Sequence, residues 1–191
     1  MRKILIIGPG GSGKSTLARR LAERTGLPLI HLDALYWHAG WVPTPDVEWD
    51  QTVAELLREE AWIIDGNYGR TFPMRLAACD TVVFLDLPRL LCVWRVMKRR
   101  LQYGSRGRPD VPEGCPERLS VEFIWWVWDY RRRRRPKILE KLEAVKTQKR
   151  VFILSNQESI ERFVTSFSYR PTPSNCWRGS DSSKCGSWRV P

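Results

Sequence analysis

GPGGSGKST, residues 8 to 16, is the stretch best equipped for chemistry. Gly8, Gly13, Lys14 and Ser15 fit GxxxxGK[ST], and Gly10, Gly11 and Gly13 permit dihedrals and close approach that a Cβ would hinder. Main-chain N–H groups of such a loop turn inward around a phosphate. Lys14 adds a point charge near the terminal phosphates, the Ser15 hydroxyl can ligate Mg²⁺, and a helix starting there adds its positive end. The implied chemistry is binding of magnesium ATP along Gly8, Pro9, Gly10, Gly11, Ser12, Gly13, Lys14, Ser15 and Thr16.

A triphosphate site also needs a carboxylate for the metal's water shell, at the end of a neighbouring strand. Asp33, Asp65 and Asp86 close LIHLD, WIID and VVFLD in this way. Asp86 precedes Leu87 and Pro88, where helix capping explains it, so it stays outside the catalytic set. Asp65 opens DGNYGR, which places two glycines, an aromatic and an arginine directly after apolar residues. An acid just past a buried strand projects into the crevice beside the phosphate loop. The alternative is a tight Asp-Gly turn with Asp65 capping a short helix beyond it.

The elements that must position these residues follow from periodicity. KILII, PLIHL, WII, TVVFL and RVFIL are short apolar runs, the pattern of strands buried on both faces of a parallel sheet. KSTLARRLAERT forms an amphipathic helix stopped by Gly26, and Thr44 offers an N-cap, with Pro45 at the first helical position, for DVEWDQTVAELLREE. A helix runs from Pro88 to about Tyr103. A Gly- and Pro-rich loop follows to about Pro116, then a helical stretch from Ser120 with a break near Pro136. Ser155 and Glu158 supply a capping box for a last helix through about Phe167. Strands alternating with helices predict an α/β three-layer sandwich, with a five-stranded parallel sheet, helices on both faces, and the ligand at the strands' carboxyl ends.

A chain of 191 residues suits one domain, expected over residues 1–168 with a lid at about 104–118, and the Ser-, Pro- and Gly-rich stretch 169–191 reads as a disordered tail. The 32 Lys and Arg against 21 Asp and Glu give net +11, which favours polyanions without choosing among nucleotides, nucleic acids and acidic membranes. Residues 89–135 carry 13 basic and 5 acidic side chains, so nucleic acid is a further partner open to this segment. Within it, Trp125 and Trp128 are spaced for a helix packed into the core. The arginine run 131–135 has three open roles: phosphate binding, a polyanion patch, or solubility. The five cysteines show no paired or metal-binding spacing and read as reduced thiols of a cytoplasmic protein. The apolar run before Gly8 is too short for a signal peptide or a membrane span.

IIDGNYGRT resembles the DGFPRT stretch of adenylate kinases, with one extra residue, and LDLPRLLCVWRVMKRR resembles the segment leading into their ATP lid. With LDALYW, WIIDGNY and RRRRP, residues 1 to about 167 most resemble the bacterial DNA topology modulation group of adenylate-kinase-like P-loop proteins. The resemblance implies a nucleotide-kinase fold with a lid and an ATP- and Mg²⁺-dependent phosphotransferase. Asp65 would hold the metal through water, Ser15 directly, and Arg70 would contact the acceptor. Lys14, Arg95 and Arg99 would stabilise the transferring phosphoryl group. Arg106 and Arg108 of the lid would join on closure, unless the loop is an inert surface feature. Adenylate kinases place an acceptor-phosphate arginine one turn after the acid at Asp33, where this chain has Tyr36 and Trp37. Asp33 would then orient or deprotonate an acceptor hydroxyl, as similarly placed acids do in small-molecule kinases of the fold. Tyr36, Trp37 and Trp41 either line an aromatic pocket or form a hydrophobic flap. The acceptor stays open between a nucleotide and a small hydroxyl-bearing metabolite. The rival reading is a nucleotide-regulated DNA-binding protein without kinase turnover, although no reading module such as a helix-turn-helix is evident.

Overall fold

Ile4, Leu5 and Ile6 have no exposed surface, so Lys3–Ile7 forms β1 with both faces covered, as a continuous apolar run requires. A computed structural model describes residues 1–103, 112, 114–115 and 120–167. Helix α1 (Lys14–Thr25) ends at Gly26, whose φ of 71° is left-handed and whose N–H donates to the Ala22 carbonyl. Then come β2 (Leu29–His31), α2 (Leu32–Tyr36), a small hairpin of β3 (Trp37–His38) and β4 (Val42–Pro43), α3 (Asp46–Arg58), β5 (Trp62–Asp65) and α4 (Phe72–Ala78). The chain continues through β6 (Thr81–Leu85), α5 (Arg89–Tyr103), α6 (Val121–Arg133), α7 (Arg135–Val145), β7 (Arg150–Leu154) and α8 (Gln157–Thr165).

The main sheet has the order β2-β5-β1-β6-β7 with every pairing parallel. One face packs Leu17 and Leu21 of α1, Val96 of α5, and Ile160 and Phe163 of α8 against Ile4, Ile6 and Ile63. The other packs Trp49 and Val53 of α3, Phe72 of α4 and Leu142 of α7 against Leu5, Trp62 and Phe84. The result is the expected three-layer α/β sandwich, in which β1 and β5 lie adjacent and bring their carboxyl ends together. Among the described residues no helix is long and apolar enough to cross a membrane.

Several local expectations are corrected. The second strand stops at His31, so Asp33 lies in the first turn of α2 rather than at a strand end. Thr44 does not cap α3, because its N–H and its hydroxyl both donate to the Tyr36 carbonyl at 2.8 Å, tying the hairpin shut. The last helix is capped by Asn156, one residue later than expected: its Oδ1 accepts from Ser159 N–H at 2.8 Å, and Ser159 Oγ donates back to the Asn156 carbonyl. Asp86 accepts from Arg135 Nε at 2.9 and 2.8 Å, so it anchors the start of α7 instead of capping a helix. Trp125 is 61% exposed, since α6 turns Phe123, Trp126, Val127 and Tyr130 inward. The break between α6 and α7 falls at Arg134, whose guanidinium sits 5.1 Å from the Trp126 ring centroid. Most of the expected lid and all of the expected tail lie outside the described residues.

Cys79, Cys92 and Cys115 are unpaired and buried. Burial pushes the Cys79 and Cys92 thiols up to about 11, so little thiolate forms at neutral pH. Iodoacetamide at pH 8 should leave the peptides carrying Cys79 and Cys92 unmodified in native protein and label them in urea, as read by mass spectrometry.

Candidate active site

The carboxyl ends of β1, β2 and β5 open onto a cleft of about 790 Å³, with the phosphate loop on its floor and α5 along one wall. Left-handed φ values occur at Gly11 (76°) and Gly13 (90°), which a Cβ would strain. Gly10 is needed for a different reason, because a Cβ there would lie 2.8 Å from the Phe123 ring and 2.9 Å from Val127. A Cβ on Gly11 would sit 2.2 Å from the Cys92 carbonyl oxygen. Helices α5 and α6 therefore press directly on the loop. Gly11→Ala should deform it, abolishing detectable magnesium-nucleotide binding in calorimetry and lowering the melting temperature.

Lys14 lies in this cleft with its Nζ donating to the Pro9 carbonyl at 3.0 Å. Burial pulls its pKa down, against the pull upward from Asp33 and Asp65. Asp65 is 4% exposed, and one of its oxygens lies 2.6 Å from His31 Nδ1. His31 escaped the sequence reading. The signal for it was the parallel register, which sets His31 beside Asp65 once both are seen to end adjacent strands. On α5, Arg95 and Arg99 both line the cleft, and Arg95 Nη1 would be 3.7 Å from a Cβ on Gly13.

The loop after Asp65 is a bracket. Asn67 Oδ1 accepts from Gly8 N–H at 3.1 Å and its Nδ2 donates to the Gly8 carbonyl at 2.6 Å, joining this loop to the phosphate loop. The Tyr68 hydroxyl donates to Asp33 Oδ1 at 2.7 Å; burial and the adjacent Asp33 charge push its pKa far upward, so it stays protonated. Behind the loop, Arg75 has no exposed surface. It donates to the carbonyls of Gly66 (2.9 Å), Asn67 (3.2 Å) and Tyr68 (2.7 Å), and to Thr71 Oγ1 (3.2 Å). Sequence reasoning missed Arg75 because its partners, Thr71 Oγ1 apart, are main-chain carbonyls, which no motif advertises.

Two sequence-predicted substrate residues are placed elsewhere. Arg70 is half-exposed and held by three bonds to Asp50 and one to Asp46, all within 3.0 Å, so α3 draws it out of the cleft. Tyr36 does not line the cleft either. It packs edge-on against Trp37 and Trp49 and at 4.6 Å from Tyr68, supporting the wall that Trp37 and Trp41 present. Arg70→Ala should accordingly leave the acceptor KM near the native value and shift the melting temperature little, as exposed ion pairs contribute weakly.

Among the described residues no three His, Cys, Asp or Glu side chains converge into a metal cage. Ser15 and buried Asp65 share the cleft, however, and such a sparse oxygen set suits Mg²⁺, which is commonly held by one or two protein groups together with substrate phosphates.

No family model matches the chain. It is 25% identical over 173 residues to a cytidylate kinase of Rhodopirellula baltica, covering 83% of this chain and 76% of that protein. A tRNA dimethylallyltransferase of Dinoroseobacter shibae is 53% identical over 38 residues, 20% of this chain and 13% of that protein. Among solved structures, shikimate kinase from Acinetobacter baumannii in complex with shikimate superposes with a TM-score of 0.52 and 20% identity, covering 87% of this chain and 90% of that one. That likeness is one of fold. Phosphate loop, sheet order and kinase relative together define an enzyme of the P-loop kinase class. Use of a nucleoside triphosphate and of an acceptor substrate follows from the class.

Proposed function

We propose that the protein transfers the γ-phosphoryl group of ATP, with Mg²⁺, to a nucleotide or a small hydroxyl-bearing metabolite. The observation that carries this reading is the gathering in one cleft of the glycine-shaped loop, Lys14, two carboxylates on separate elements, and the paired arginines of α5. Gly8 to Thr16 bind the triphosphate, and Lys14, Arg95 and Arg99 stabilise charge spreading over the transferring group. Ser15 would hold the metal directly and Asp65, beside His31 Nδ1, would hold it through water. Bound there, Mg²⁺ would neutralise charge that develops on the phosphates. Asp33 faces the acceptor beside Trp37, while Tyr36 supports the surrounding wall. The free thiols of Cys79, Cys92 and Cys115 support a cytoplasmic location. Membership of the DNA topology modulation group is the narrower form of the proposal, supported by LDALYW, WIIDGNY and RRRRP.

The test is ADP release from magnesium ATP in the presence of a broad acceptor panel. Acceptor-dependent release is expected, and none with any member overturns the reading. A DNA-binding reading is favoured only by the surface of α5 and α6, where Trp94 and Trp125 are exposed and the Arg89 guanidinium lies 4.2 Å from the Trp128 ring centroid. It requires DNA affinity that falls steeply with added salt while ATP binding survives.

A further inference from the structure

We infer that the acceptor atom is an alcohol oxygen of a small, ring-bearing, phosphate-free metabolite, and not the phosphate of a nucleoside monophosphate. The inference rests on the phosphotransferase reading and narrows it.

A phosphate acceptor approaches as a dianion and must be held by cations. A hydroxyl acceptor is neutral and must be oriented and relieved of its proton. The arginines that the loop after Asp65 offers for an acceptor phosphate are both engaged elsewhere. Arg70 is bound to Asp46 and Asp50 outside the cleft, and Arg75 is fully buried with its donors on three carbonyls and Thr71. Among the described residues, the remaining cations lining the cleft are Lys14 on the phosphate loop, Arg95, Lys98 and Arg99 on α5, and Arg19 on α1. On the phosphotransferase reading Lys14, Arg95 and Arg99 serve the donor's transferring group, and Lys98 Nζ sits over Trp94, 5.1 Å from its ring centroid. Arg19 is a single charge set against a dianion's two and the one on Asp33.

The cleft wall formed by α2, the hairpin and the loop after Asp65 instead presents a carboxylate, a neutral phenol and two indoles. Asp33 receives the Tyr68 hydroxyl on one oxygen, which orients the carboxylate and leaves its other lone pairs for a second donor. Trp37 and Trp41 stand edge to face with centroids 5.4 Å apart and line the same cleft, a surface that receives the apolar face of a ring. In the reaction the acceptor oxygen bonds to the γ-phosphorus, and the bond to the β,γ-bridging oxygen breaks with its electron pair leaving on ADP. The hydroxyl proton passes to Asp33 and then to solvent.

The experiment measures ADP release at fixed magnesium ATP with two acceptor sets. One holds phosphate-free ring alcohols, namely cyclic polyols, cyclic hydroxy acids and nucleosides. The other holds the four common nucleoside monophosphates, CMP included. Transfer to a member of the first set is expected, and Asp33→Asn should reduce it by about 10²- to 10⁴-fold while calorimetry shows unchanged affinity for magnesium ATP. Transfer to monophosphates with none to the alcohols overturns the inference and upholds phosphoryl transfer. Unchanged turnover of the alcohols in Asp33→Asn also overturns it. Absence of transfer to both sets, with magnesium ATP bound, overturns the inference and the reading beneath it.

Discussion

Replacing Lys14 with alanine should lower phosphoryl transfer by about 10²- to 10³-fold, the scale expected when one preorganised charge is removed from a transferring group. The fold should not suffer. In the free protein the ammonium makes a hydrogen bond to the Pro9 carbonyl, and burial pulls its pKa down, so the folded chain holds this charge against a desolvation cost. Removing it relieves that cost, although Asp33 and Asp65 lose a compensating neighbour. The melting temperature of Lys14→Ala should stay within a few degrees of the native value while the rate at saturating magnesium ATP collapses. A large drop in melting temperature would instead make Lys14 a structural residue.

Arg75→Met should have the opposite profile, with stability falling first and activity following. Methionine fills similar volume but leaves the carbonyls of Gly66, Asn67 and Tyr68 without their buried donor, and each unsatisfied group costs about 1–3 kcal/mol. A loss of about 3 kcal/mol lowers the melting temperature of a chain this size by about 6–12 °C. Burial pulls the Arg75 guanidinium down to about 10, so it stays charged at neutral pH, and the carbonyls around it are what hold that charge. The loop it supports carries Asn67 to Gly8 and Tyr68 to Asp33, so transfer should weaken as both contacts drift. Arg75→Lys, which keeps the charge but not the forked donors, should fall between the two. Unfolding curves and initial rates on the same preparations check the order. An Arg75→Met protein of native stability would remove the bracket from the account.

The phosphate loop and the alternation of strands and helices were legible in the chain because they depend on neighbours. Gly8 to Ser15 form a contiguous motif, and KILII, TVVFL and RVFIL reveal buried strands by their own apolar runs. From these the three-layer sandwich and the position of Lys14 followed directly. The exposure of Trp125 and the choice of Asn156 over Ser155 as a cap were not legible. Each depends on a shift of one residue, about 100° around a helix, that packing alone decides.

By itself, the amino-acid sequence determined the anion-binding loop, the parallel α/β class and the candidate acids, since glycine conformational freedom and apolar periodicity are local properties. Only the tertiary structure decided what the acids and arginines touch. His31 meets Asp65 across 34 positions of chain, Tyr68 meets Asp33 across 35, and Asn67 meets Gly8 across 59. Arg70, placed at the acceptor by its motif, was captured by Asp46 and Asp50 of α3, and Arg75 went to the main chain behind the loop. The physical reason is that a charged side chain settles on whichever partners the strand order brings within reach, and strand order is a property of the assembled sheet rather than of any segment.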